Sequence, residues 1–145
     1  VAHCLFNFTD GNREQAAALL DAKMWGVGGD ERHRAALAPG DLVLIYVATR
    51  REFIGCAELA TAVHEWTPSE AKVYPGDSTS GVALTDVEEW DQAVPMDVVV
   101  RRIDPTASSP LVQENAAKGF RKGVVLVDDD EYEAVLALNR EALGT

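Results

Sequence analysis

Basic residues are scarce in this chain: 13 Lys and Arg stand against 24 Asp and Glu, a formal charge of -11 at pH 7. Attraction to a polyanion is driven largely by Lys and Arg displacing counterions, so this balance weighs against a surface that holds nucleic acid all round. Cysteine is nearly absent. Cys4 and Cys56 each sit in an apolar, strand-like run with no second Cys or His at ligand spacing. They read as reduced core thiols, which excludes a disulfide framework and a zinc knuckle. His3, His33 and His64 fall one per element and form no catalytic or metal cluster. No apolar run approaches the ~20 residues of a membrane span, and no basic-then-apolar leader opens the chain. A cytoplasmic protein with no membrane partner is expected. There is no phosphate loop ending in Lys-Ser/Thr, no Gly-x-Ser-x-Gly elbow and no His-Glu pair with Cys-x-x-Cys, so no enzyme, metal or cofactor is expected.

What is present describes an ordinary globular domain. The 145 residues are 47% hydrophobic, and a chain of this size suits one domain spanning 1–145 with a single core. It starts at Val1 and ends at Thr145, and is expected to be a module cut from a larger protein. The charges are unevenly spread. Acidic residues gather at Asp86 to Asp91 and Asp128 to Glu133; basic ones gather at Arg32-His33-Arg34, Arg50-Arg51, Arg101-Arg102 and Lys118 to Lys122. Such a bipolar surface leaves one face able to meet phosphates.

Periodicity sets the elements. Ala2 to Phe8 reads as a strand, with Asp10 or Asn12 capping a helix through Ala16, Leu19, Leu20 and Lys23 that Gly26, Gly28 and Gly29 end. Glu31 to Leu37 is expected as a short helix. Pro39-Gly40 turns into the continuous apolar run Leu42 to Val47, and Phe53 to Val63 returns as a long strand with Gly55 as a bulge or close-approach point. A loop carrying Trp66, Pro68, Tyr74, Pro75 and Gly76 follows. Gly81 to Trp90 alternates as a strand, and Val94 to Val100 is either a helix after Pro95 or a further strand. A short helix at Leu111 to Ala117, a strand at Gly123 to Val127 and a terminal helix from Asp128 to Leu143 complete the chain. Asp41 reads as a turn residue, and the Asp128-Asp129-Asp130-Glu131 run as helix-cap chemistry rather than a metal site. The order predicts a mixed α/β (α+β) fold: a small curved sheet or open barrel of five to six mostly antiparallel strands with helices outside.

The aromatics carry the functional signal. Trp25, Tyr46, Phe53, Trp66, Tyr74 and Trp90 are many large rings for this length, and rings on loops or strand ends can stack on a flat base or enclose a methylated one. Trp25, between a helix and glycines, is expected to face a ligand; Tyr46 and Phe53 are expected in the core, with Trp90 a core cover. Trp66 and Tyr74 stay open between the two roles.

In order and spacing, His3-Cys4-Leu5-Phe6-Asn7-Phe8, Met24-Trp25-Gly26-Val27, Pro39-Gly40-Asp41 and Phe53-Ile54-Gly55-Cys56-Ala57-Glu58-Leu59 resemble the EVE domains. Gly81-Val82-Ala83-Leu84, Val94-Pro95-Met96 and Asn115 through Gly123 extend the likeness, which reaches YTH domains and the PUA-like superfamily more distantly. The resemblance implies a PUA-like fold and a non-catalytic module that binds a modified, for example methylated, base of DNA or RNA in an aromatic cage. It would suit the sensing domain of a modification-dependent restriction or RNA-processing protein with a fused or partner effector domain. It implies Trp25 as one wall of the cage and Trp66 or Tyr74 as the second. Gly26 and Val27 would offer backbone groups to the base edge, Asn7 a side-chain hydrogen bond, and Arg121, Lys122 and Arg32 phosphate contacts. The acidic balance leaves an alternative: a small-molecule or protein-interaction module on the same fold. The ASCH-type enzyme branch would need a catalytic Lys or acid, for which Lys23 is the only Lys near the proposed pocket.

Overall fold

Continuous apolar sequence forms the centre of the sheet. In the computed structural model, which describes residues 2–8, 12–28, 34–76, 78–102 and 124–144, the run Leu42–Val47 is strand β3. The chain begins with β1 (His3–Phe8), α1 (Arg13–Ala22), β2 (Met24–Gly26) and a 3-10 turn at Arg34–Ala36 before β3. It continues with β4 (Glu52–Leu59), β5 (His64–Glu65), α2 (Pro68–Val73), β6 (Ser80–Pro95), α3 (Met96–Arg102), β7 (Val124–Val127) and α4 (Asp129–Gly144). The strands follow the order β2-β6-β4-β3-β1-β7, with β5 added to β6. β1 and β3 run parallel, and the other pairs are antiparallel. The sheet curls into a half-barrel with helices packed outside, the PUA-like fold.

Both faces of the sheet are covered, which is why β3 carries no alternation. On one face Phe6, Trp25, Ile45, Ile54 and Val82 pack with Leu19 and Leu20 of α1. On the other, Leu5, Leu44, Tyr46, Phe53 and Trp90 pack with Met96 and Val99 of α3 and Tyr132 and Val135 of α4. Cys4 and Cys56 are free and buried, and burial pushes both thiols up to about 12. The carboxylate of Asp41, 6% exposed, accepts from the Ala2 and Ala38 N–H groups at 3.0 Å each, so it staples the turn before β3. Asp128 and Glu131 form a reciprocal cap on α4 at 2.9 Å in each direction. Among the described residues no group of His, Cys, Asp and Glu is arranged to hold a metal, and no helix is long and apolar enough to cross a membrane.

Several elements differ from expectation. The first helix stops at Ala22, because Lys23 takes the left-handed conformation at φ 57° and its N–H closes on the Leu19 and Leu20 carbonyls. Met24–Gly26 then pairs with β6, so Trp25 lies on a strand rather than on a glycine-flanked loop. The strand from Phe53 ends at Leu59, not Val63. Thr67 and Glu70 build a capping box that folds the middle of the supposed loop into α2. The Glu31 to Leu37 helix reduces, among described residues, to the 3-10 turn. β6 runs past Trp90 to Pro95, and α3 starts directly after it, the helix alternative for Val94 to Val100. Gly55 is a close-approach point as expected, since a Cβ there would stand 2.2 Å from the Glu88 carbonyl oxygen. The expected loop at 103–110 and helix at 111–117 lie outside the described residues.

Candidate functional site

Two glycines meet across the β2–β6 ribbon. Gly26 pairs with Gly81, while Trp25 pairs with Val82. Successive side chains on a strand point to opposite faces, so the two pairs serve different surfaces. Trp25 turns inward: it is 5% exposed, lies near-parallel to Phe6 with centroids 5.7 Å apart and meets Phe8 edge-on at 5.8 Å. The glycine pair leaves room on the other surface. A Cβ on Gly26 would fall 2.4 Å from the Tyr74 hydroxyl and 2.5 Å from Ser78 Oγ, and one on Gly81 would fall 2.7 Å from the Trp66 ring. Trp66 and Tyr74 therefore lie directly on backbone, 4.9 Å apart with an interplanar angle of 42°.

Polar contacts hold these rings in place. The Trp66 indole N–H donates to the Ser78 carbonyl at 2.9 Å. His64 meets Trp66 edge-on at 5.6 Å and places Nε2 at 2.9 and 3.0 Å from the two Glu70 carboxylate oxygens. Its Nδ1 sits 3.1 Å from the Ala62 carbonyl oxygen. Both ring nitrogens thus face acceptors, an arrangement satisfied by imidazolium. The Ala62 carbonyl and the Glu70 carboxylate raise the His64 pKa, and the Thr67 N–H and His64 lower that of Glu70.

Beside this cluster a cavity of about 490 Å³ opens between α1 and the segment after α2, lined by Phe8, Gln15, Ala18, Leu19, Tyr74, Pro75, Gly76 and Ser78. That volume is in the range of small-ligand sites, about 300–1,000 Å³. Its walls are the rings of Phe8 and Tyr74 and aliphatic groups, with three polar side chains, Gln15, Tyr74 and Ser78. Gln15 is oriented by the N-terminal cap of α1. Its Oε1 accepts from the Asn12 N–H at 2.9 Å while its own N–H donates to Asn12 Oδ1 at 3.0 Å. Oε1 is occupied at the cap, and the amide Nε2, a double donor, takes no part in it.

The residues singled out in sequence are not all together. Tyr74 lines the cavity, Trp66 contacts Tyr74, and Gly26 lies under the Tyr74 hydroxyl. Trp25 does not line the cavity and stands one layer behind, against Phe8. Asn7 is buried on β1 between Phe6 and Phe8, in register with Tyr46, so alternation puts it on the sheet face opposite Trp25. Val27 is 2% exposed, and its backbone groups are in use: the N–H donates to the Ser80 carbonyl, and the carbonyl accepts from Ser80 Oγ and Arg34. Arg32, Arg121 and Lys122 lie outside the described residues. Phe8, Gln15, Ser78 and His64 were missed by sequence reasoning. The Asn12-x-x-Gln15 and Thr67-x-x-Glu70 capping boxes were the signals for two of the positions, Gln15 and the helix that carries Tyr74 at its end.

No protein-family model matches the chain, and no curated protein matches its sequence. Solved structures share its fold. A protein of Agrobacterium tumefaciens, Atu2648, superposes with a TM-score of 0.65 at 20% identity, over 96% of this chain and 93% of that one. Human THYN1, solved in complex with DNA containing 5-methylcytosine, gives 0.66 at 16% identity over 96% and 98%. The YTH domain of the Zygosaccharomyces rouxii MRB1 protein, in complex with N6-methyladenosine RNA, gives 0.62 at 14% over 95% and 87%.

Proposed function

We propose that this chain is a non-catalytic module of EVE or YTH type that takes a modified base of DNA or RNA into the cavity between α1 and the segment after α2. The observation that carries the reading is the cavity, where Phe8 and Tyr74 supply rings and the capped Gln15 stands in the wall. The shared fold of two structures solved with methylated nucleic acid supports it.

In this reading the base stacks on Tyr74, which Trp66 and the Gly26–Gly81 floor hold in position. Trp25 acts as the inner wall by bracing Phe8, and Gln15 Nε2 donates to an acceptor on the base edge. Gly26 and Val27 shape the ribbon rather than read the base, and Asn7 serves the opposite face of β1. Arg121, Lys122 and Arg32 hold phosphates, and an effector domain, fused or separate, acts on the bound strand. Extracting a base costs a few kcal/mol, and stacking returns about 1–3 kcal/mol per base. A buried methyl adds about 0.8 kcal/mol, so the polar contact at Gln15 supplies part of the selectivity.

The test is titration of the protein with matched oligonucleotides carrying 5-methylcytosine, N6-methyladenine or no modification. Preference for one modified strand, lost in Tyr74→Ala with the melting temperature kept, supports the reading; equal affinity for all three strands contradicts it. The net charge of -11 favours one second reading, a small-molecule or protein partner in the same cavity. Affinity that is flat with added salt supports that alternative, because phosphate contacts make it fall steeply.

A further inference from the structure

In a chain this acidic, most described arginines have found an acid or a carbonyl. Arg50 pairs with Glu52, Arg101 with Asp97 and Arg102 with Glu141, while Arg13 donates to the Trp90 carbonyl. Arg34 differs. Its Nη1 alone holds the protein, donating to the Val27 carbonyl at 2.9 Å, the Gly28 carbonyl at 3.1 Å and Ser80 Oγ at 3.0 Å. Every one of those acceptors is neutral, and among the described residues no carboxylate pairs with the guanidinium. Among the described residues the charge is therefore oriented without a carboxylate beside it.

The anchoring is rigid. Ser80 is buried, and its hydroxyl donates to the Val27 carbonyl at 2.8 Å, so the tether joins the end of β2 to the start of β6. Val27 and Ser80 are each one residue beyond the Gly26–Gly81 pair, about 3.3 Å of strand rise. With Nη1 committed, the side-on fork of Nε and Nη2 has no partner among the described residues. That fork is the planar, two-donor edge that matches two oxygens of a phosphate.

We propose that Arg34 is a phosphate clamp: Nη1 locks the guanidinium to the end of the β2–β6 ribbon, and the Nε/Nη2 fork takes a phosphodiester of the bound strand. The clamp rests on the nucleic-acid reading for its source of phosphate, and adds a positive contact point inside the described fold of an acidic chain. A backbone contact is blind to base identity, so it raises affinity for modified and unmodified strands by the same factor.

The experiment compares the parent chain with Arg34→Gln and Arg34→Lys, using a single-stranded oligonucleotide in modified and unmodified forms across a salt series. Gln removes the charge and the fork while keeping a polar side chain, and the melting temperature checks the fold. Arg34→Gln is expected to weaken both strands equally, on the order of tenfold at low salt, and to lower the slope of log affinity against log salt by about 0.7. Arg34→Lys is expected to keep the slope and recover part of the affinity. An unchanged slope and affinity in Arg34→Gln overturns the clamp. A parent that binds both strands equally refutes modified-base reading while leaving this comparison intact. If the parent binds neither strand, or the variant fails to fold, the Arg34 Nε–H resonance of the parent is followed during titration with inorganic phosphate. A saturable shift supports a clamp for free phosphate, and a resonance that does not move overturns it.

Discussion

Gly26 and Gly81 stand in register across β2 and β6, and the space their side chains would occupy is filled by the Tyr74 hydroxyl and the Trp66 ring. The two positions differ in what a methyl group would strike. At Gly26 the obstacles are side-chain ends of Tyr74 and Ser78; at Gly81 the nearest is the Trp25 carbonyl at 2.1 Å. Gly81→Ala is expected to destabilise the fold by about 1–3 kcal/mol or more, as overpacking against backbone does. Gly26→Ala is expected to cost less stability and to displace Tyr74, with loss of ligand binding. Denaturant titration and Trp fluorescence of the two variants check this; equal stability losses would show that the two glycines are not distinguished by their surroundings.

Trp25 and Tyr74 separate fold from binding. Trp25 is 5% exposed against Phe6 and Phe8, so Trp25→Ala is expected to cost about 3–5 kcal/mol. Tyr74 is half-buried at the cavity, and Tyr74→Ala is expected to leave the fold cooperative while binding is lost. Urea unfolding gives the comparison. A Trp25→Ala protein as stable as the parent would remove Trp25 from the core.

Gln15→Glu tests the cavity donor without disturbing α1. Glu serves equally as the third residue of the cap, so its carboxylate still accepts from the Asn12 N–H. The substitution replaces the Nε2 donor with a carboxylate oxygen, an acceptor. An unchanged melting temperature with at least a tenfold loss of affinity is expected; unchanged affinity would mean that Gln15 only caps the helix.

The His64–Glu70 pair predicts a pH window for the ring cluster. The His64 pKa is raised from 6.5, so its contribution is full below 6.5 and is lost as pH rises through the folded value. That of Glu70 is lowered from 4.5, so its contribution is full above 4.5 and is lost as pH falls through the folded value. Stabilisation is greatest between these limits. Glu70→Gln keeps the α2 cap but removes the charge. The melting-temperature gap between parent and Glu70→Gln is expected to be widest near pH 5.5 and to narrow as pH rises through the folded His64 value, and a gap constant with pH would refute the pairing.

Legibility in sequence followed the length and autonomy of each element. Leu42–Val47 is a continuous apolar run, and the Asn12 cap precedes a clear helical period, so both were readable. β2 was not, because three residues carry no period and their partner, β6, lies more than fifty residues along the chain. That same long-range pairing turns Trp25 inward, which local glycine context cannot foretell. Tyr74 and Trp66 were identifiable as a pair of candidates, and the glycines beneath them explain why both belong to one cluster. Gln15 and Phe8 carry no local mark of a site; only the packing of α1 beside the segment after α2 makes them cavity walls.

The central claim, that the cavity beside Tyr74 holds a modified base, is tested most directly by measuring the affinity of parent and Tyr74→Ala for oligonucleotides that differ by a single base modification. The account predicts that the parent prefers the modified strand and that Tyr74→Ala, still folded, binds both strands with the same reduced affinity. A parent without preference, or a Tyr74→Ala protein that keeps it, would contradict the account.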